Sequence, residues 1–255
     1  MKKRLMLVAI MMVTAVSFVP VASADDEGLG IDVTADFYSK YVWRGQMLND
    51  DYAFQPGVSK TFGTEMGDIT LGAWWSIDMT DFGGEKGKAT EIDYYVDYTV
   101  SLNETVSASF GYIYYDFPAA RTETQEFYVG LAFDTLLSPS ITYYMDTDAV
   151  SGGSYLSVGI GHTFDEAFSL CEDVPVAIEL GASLGYANSD YNNGYWGVDD
   201  EGFNDFAFSI ALPFEVGGVS VTPSFNWSSL VDNDLRGATT EQDQFYTGIS
   251  LGTSF

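Results

Sequence analysis

The chain has 255 residues, 46% hydrophobic and 16% aromatic but only 18% charged, and its 10 Lys and Arg face 37 Asp and Glu for a formal charge of -27. That balance excludes a nucleic-acid binder, which needs a basic face to displace phosphate counterions, and the wealth of aromatic and β-branched residues excludes a disordered chain. A single cysteine, Cys171, and a single histidine, His162, exclude a disulfide framework, a thiolate zinc centre and a His-pair metal site, so neither a metal nor a cofactor is expected.

Taken in chain order, the first element is an export signal over 1–24. Lys2, Lys3 and Arg4 form a basic start, 5–19 an apolar stretch, and Ala22-Ser23-Ala24 a small-residue cleavage site. Cleavage leaves a mature domain over 25–255, carrying a charge of -30 because three cations leave with the signal. No later stretch reaches the ~18 consecutive apolar residues of a spanning helix. An exported chain of this kind is either soluble or a membrane barrel, and periodicity decides between them.

From residue 31 onward apolar residues alternate with polar or small ones. Ile69, Leu71, Ala73, Trp75, Ile77 and Met79 share one face, while Thr70, Gly72, Trp74, Ser76 and Asp78 share the other. The same rhythm predicts about twelve strands, at 31–44, 52–62, 68–80, 89–101, 104–116, 122–133, 139–147, 153–163, 174–188, 203–214, 218–230 and 243–255. Connections at 63–67, 102–103, 134–138 and 215–217 are short, whereas 81–88, 189–202 and 231–242 are long and rich in Gly, Asp and Asn. The connection 164–173 is the exception, being long on the short side.

A secreted β-sandwich also alternates, but it shows water a face of Lys, Glu and Thr. Here the polar face is Gly, Ser, Thr, Asp and Tyr, and aromatic residues flank the apolar face. The expected fold is therefore all-β, a closed antiparallel transmembrane β-barrel with short periplasmic turns and longer extracellular loops, in a bacterial outer membrane. Its surroundings would be outer-membrane lipid and lipopolysaccharide. Phe255, ending a strand of alternate apolar residues, resembles the C-terminal assembly signal of such barrels, which implies the barrel-assembly machinery and periplasmic chaperones as partners.

The segment Ala35-Asp36-Phe37-Tyr38-Ser39-Lys40-Tyr41-Val42-Trp43-Arg44-Gly45, with Gln46 and then Phe54-Gln55-Pro56-Gly57, resembles the opening of the TorF-type putative porins. Members begin with Ser-x-Tyr-Val-aromatic-Arg-Gly, a polar turn and a second strand. The resemblance covers residues 35–57 and implies a barrel and a pore, without naming a solute.

Strand parity places charges inside, because a charge facing lipid at mid-depth costs ~2–4 kcal/mol. Asp32, Asp36, Lys40, Arg44, Glu91, Asp93, Asp97, Glu126, Asp146, Glu179 and Asp205 are the pore-lining candidates. Carboxylate rings favour cations. The expected function is passive passage of small hydrophilic solutes, favouring cations, with Arg44 pairing acids at a constriction. The alternative is a closed barrel, filled by its own side chains and acting through surface loops. There Tyr191, Tyr195 and Trp196 would stack on a sugar, and Asp199, Asp200 and Glu201 would gather calcium, although their spacing does not match a twelve-residue calcium loop. Catalysis is not expected: His162 shares the apolar parity of Leu156, Val158 and Ile160, and no Gly-x-Ser-x-Gly elbow is present.

Overall fold

In a computed structural model the structure describes residues 29–255, so the export signal expected over 1–24 lies outside the described residues. Alternation becomes strand wherever neighbours complete the backbone hydrogen bonds. The strands are β1 (Ile31–Tyr38), β2 (Tyr41–Trp43), β3 (Gln46–Asn49), β4 (Ala53–Thr64), β5 (Gly67–Asp78), β6 (Ala89–Ser101) and β7 (Val106–Phe117). They continue as β8 (Thr122–Phe133), β9 (Ser140–Asp146), β10 (Ser154–Cys171), β11 (Val174–Ala187), β12 (Gly202–Ala211), β13 (Phe214–Val216), β14 (Val219–Leu230) and β15 (Asp243–Ser254). Two short helices, α1 (Ser189–Trp196) and α2 (Asn233–Ala238), lie in the last two long loops.

Twelve of these strands form one antiparallel wall, β1, β4 to β12, β14 and β15. The wall closes where β15 returns to β1, with Phe37 opposite Ile249 and a backbone bond from Phe255 N to Ile31 O of 2.9 Å. Closure removes both sheet edges, which a lipid environment requires because it offers no alternative hydrogen-bond partner. β13 pairs only onto β14, and β2 and β3 pair only with each other.

The burial pattern is inverted relative to a water-soluble sheet sandwich. Outward Phe37, Tyr94, Phe110, Phe127, Val129, Ile141 and Tyr143 are exposed, while inward Asp36, Ser76, Glu91, Asp93, Glu126 and Thr142 are buried. A soluble sandwich hides its apolar face; this wall presents it all round, as a membrane barrel does. Among the described residues no helix is long and apolar enough to cross a membrane, so any crossing is made by strands.

Inside the wall, glycines accept tyrosines from the next strand. A Cβ on Gly72 would lie 2.1 Å from Tyr95, on Gly111 2.1 Å from Tyr128, on Gly185 2.2 Å from Tyr155 and on Gly248 2.2 Å from Tyr38. Each tyrosine thus reaches across the neighbouring strand over its glycine.

Two sequence expectations need correction. The first strand does not run to residue 44: β1 ends at Tyr38, and the chain then folds inward as the β2–β3 hairpin. The long connection at 164–173 is also absent. β10 continues to Cys171 and turns at Glu172–Asp173, but extra residues between Phe164 and Phe168, and again before Cys171, break the alternation that the sequence would have shown. Pairing of β10 with β9 ends at Gly159, and that of β11 with β12 ends at Glu179. The rest of this hairpin projects past the rim as a two-strand ribbon.

Candidate functional site: the Arg44 seat in the barrel mouth

The β2–β3 turn reads Trp43-Arg44-Gly45-Gln46, with φ of 45° at Arg44 and 79° at Gly45. Positive φ at both central residues is what a two-residue hairpin turn demands, and at an arginine it carries strain. Glycine is required next to it for a second reason, since a Cβ there would meet Asp205 at 2.8 Å and Leu230 at 2.9 Å. The tip of the hairpin is therefore pressed against the inner wall, and Arg44 is only 3% exposed.

Its guanidinium is gripped at both terminal nitrogens and walled by aromatic rings, while Nε is buried without a hydrogen-bond partner. Arg44 Nη1 donates to Glu126 Oε1 at 2.7 Å and Nη2 to Glu126 Oε2 at 2.8 Å, a two-pronged pair with each side chain 1% exposed. Tyr115 OH donates to the same carboxylate at 2.9 Å. The Arg44 Cζ atom lies 4.5 Å from the Trp43 ring, 4.2 Å from Tyr144, 4.6 Å from Tyr155 and 5.9 Å from Tyr191. Burial works against the charge on Arg44, but the Glu126 carboxylate and the surrounding Tyr191 and Tyr115 together outweigh it and raise the basicity of the guanidinium.

Helix α1 supplies one wall of this cage. Asn188 caps it by accepting from Tyr191 N at 3.0 Å, and Gly197 ends it in a left-handed conformation. The same Asn188 Oδ1 accepts from Ser154 N at 2.8 Å, which ties the helix to β10. Tyr191 is consequently fully buried, 4.5 Å from the Tyr195 ring and 5.5 Å from Tyr155.

Acids encircle the cage. Tyr155 OH donates to Asp205 Oδ1 at 2.7 Å, and Asp146 Oδ2 accepts from Thr124 at 2.7 Å and from Tyr195 at 3.1 Å. Across the lumen Tyr41 packs 5.7 Å from Trp74, and Glu91 is hydrogen-bonded to both Tyr41 and Asp93. Asp36 Oδ1 and Asp93 Oδ1 are buried without a protein partner.

Of the sequence candidates, Arg44, Glu126, Asp146 and Asp205 meet at this seat, while Glu91, Asp93 and Asp36 stand on the wall around it. Asp97 lies nearer the short-turn end, accepting from Tyr128 at 2.6 Å and Thr99 at 2.7 Å. Asp32 and Glu179 sit close to that rim. Lys40 lies beyond the end of β1, where it pairs with Asp50 and donates to Gln244 at 3.4 Å. Tyr191, expected on the surface, is sealed inside; Tyr195 and Trp196 are half-buried, and Asp199, Asp200 and Glu201 are exposed. Among the described residues no group of three or more His, Cys, Asp or Glu side chains is arranged to hold a metal ion.

Sequence reasoning missed Trp43, Tyr115, Tyr144 and Tyr155, although Tyr144 shares inward parity with Asp146 two residues on. His162 faces outward at the short-turn rim, its Nδ1 2.8 Å from Leu136 O and its ring 4.6 Å from Phe164.

No protein-family model and no curated protein sequence matches the chain. Solved structures match by shape. The KdgM porin aligns over 88% of this chain and 99% of its own, at 12% identity and a TM-score of 0.52. LpxR from Salmonella typhimurium aligns over 88% and 100%, at 9% identity and a TM-score of 0.53. The NanC porin aligns over 88% and 98%, at 14% identity and a TM-score of 0.47. The first two share the fold, a closed outer-membrane barrel, and at such identities the likeness extends to the fold alone.

Proposed function

We propose that this barrel is an outer-membrane porin for small hydrophilic solutes with a preference for cations, and that the Arg44 seat is its constriction. The observation carrying this reading is the imbalance of the interior. Among the described residues seven buried carboxylates, Asp36, Asp78, Glu91, Asp93, Glu126, Asp146 and Asp205, face one buried cation, Arg44. Glu126 is neutralised by Arg44, and Glu91 and Asp93 share a proton and so hold one charge between them; the remaining carboxylate charge lowers the energy of a mobile cation and raises that of an anion. The wall supports passage too: on β1, β4, β5 and β6, inward Asp32, Thr34, Ser59, Thr61, Thr70 and Thr99 are half-buried or exposed toward the short-turn end. The porin folds among the shape matches are consistent with this role.

A second reading, a barrel closed at its mouth and working through its loops, is favoured by the complete burial of Tyr191 and Leu235. Exposed Asp199, Asp200 and Glu201 would then be its outward chemistry. In either reading export through 1–24, assembly through Phe255, and contacts with lipid and lipopolysaccharide belong to the proposal. Single-channel recording of the refolded protein in a planar bilayer under a salt gradient separates the two. Steady openings with a cation-selective reversal potential are expected; reproducible silence from protein shown to be folded by heat-modifiable gel mobility would overturn the porin reading.

A further inference from the structure

We infer that the seat of Arg44 is a receptor for guanidinium-bearing solutes, with the chain's own arginine as its resident occupant. Every component is what a free guanidinium would need. Glu126 offers both oxygens to two N–H groups at 2.7 and 2.8 Å, and Tyr115 fixes that carboxylate from behind at 2.9 Å. Tyr144, Tyr155 and Tyr191 supply aromatic faces at 4.2, 4.6 and 5.9 Å, independent of the hairpin. A planar cation that is weakly hydrated and forked suits this geometry better than a compact ammonium. All the wall groups come from β7, β8, β9, β10 and α1, so the receptor persists if the hairpin leaves.

The occupant is held by side chains and packing, not by strand pairing to the wall. β2 and β3 bond only to each other and not to the wall, and the turn that presents Arg44 is strained at φ 45°. Beyond the Glu126 pair the hairpin is held by packing, with Trp43 against Tyr115, Tyr191 and Tyr195, the Gly45 tip against Asp205 and Leu230, and Tyr41 on Trp74 and Glu91. A solute with a guanidinium group that competes for Glu126 displaces Arg44 and frees the hairpin from the mouth. Release of the hairpin as a channel-opening step rests on the porin reading above; binding to the seat does not.

The test uses methylguanidinium as probe and methylammonium as control on the refolded full chain. In Arg44→Ala the seat is empty, so methylguanidinium should raise the thermal midpoint saturably, at a concentration about tenfold below that needed by methylammonium, given the two-pronged bond. Adding Glu126→Gln should abolish that preference. In the native protein a tethered Arg44 competes at an effective concentration on the order of millimolar, so half-effect requires more probe than in Arg44→Ala. The readout there is increased conductance. If Arg44→Ala does not refold, Arg44→Lys replaces it, because lysine keeps a charge opposite Glu126 but loses the fork and is displaced by methylguanidinium more readily than arginine. Absence of a saturable, guanidinium-selective shift overturns the receptor. Saturable binding in a barrel that stays silent supports the receptor and overturns the opening step together with the porin reading.

Discussion

Arg44 and Glu126 are each 1% exposed at the side chain, and at that burial neither tolerates the loss of the other. Removing one partner of such a pair typically costs ~3–5 kcal/mol, because the survivor stays charged without a counterion. Arg44→Ala should therefore lower stability by about that amount, as read by urea titration of the barrel in detergent, whereas Arg44→Ala combined with Glu126→Gln should recover a large part of it. Equal losses in the single and double variants would mean that the pair adds nothing beyond its packing. The sequence made Arg44 and Glu126 legible as inward charges but not as partners, since they lie 82 residues apart. The cage was hidden for a related reason. Tyrosine reads as an apolar residue at a membrane interface as readily as an inward one, and only closure of the wall brings Tyr115, Tyr144 and Tyr155 to one place.

At the scale of elements, strand pairs are locked by tyrosines lying over glycines. Tyr128 crosses Gly111 on the way to its 2.6 Å bond with Asp97, so a methyl group on Gly111 would strike the ring at 2.1 Å. Gly111→Ala should destabilise the barrel by about 1–3 kcal/mol through overpacking, and Gly111→Ala with Tyr128→Ala should lose less than the two single changes summed. Additive losses in the same urea titration would show that ring and glycine do not depend on each other. The ribbon at the end of β10 and β11 is the opposite case. Beyond Gly159 and Glu179 it pairs with no wall strand, and its ties to the rim, Gly161 N to Leu137 O at 2.8 Å, His162 Nδ1 to Leu136 O at 2.8 Å and Ala177 N to Pro213 O at 3.1 Å, all lie outside 164–175, so replacing 164–175 with a short Gly-containing turn should leave heat-modifiable folding intact. Alternation made the wall strands readable because each face meets a different solvent. The inward hairpin and the ribbon escaped that reading, one because its short strands lie outside the wall and the other because bulges shift its parity at Phe168.

For the whole molecule the deciding quantity is the summed charge of the interior, and its influence depends on ionic strength. Asp36 and Asp93 each carry a buried oxygen without a protein partner, and Asp93 shares a proton with Glu91 through their hydrogen bond, so the lumen sees Asp36 and the single charge that the Glu91–Asp93 pair can hold. Asp36→Asn combined with Glu91→Gln and Asp93→Asn keeps shape and hydrogen-bonding capacity while removing Asp36 and the one charge that the Glu91–Asp93 pair can hold. The reversal potential under a salt gradient should then move from the cation side toward zero, with unitary conductance in molar salt little changed. In the native protein the same shift should follow from salt alone, since the screening length falls from ~10 Å at 0.1 M to ~3 Å at 1 M. A reversal potential that responds to neither the substitutions nor the salt would place selectivity at the constriction, where Arg44 and Glu126 already cancel, rather than in the carboxylates of the surrounding wall.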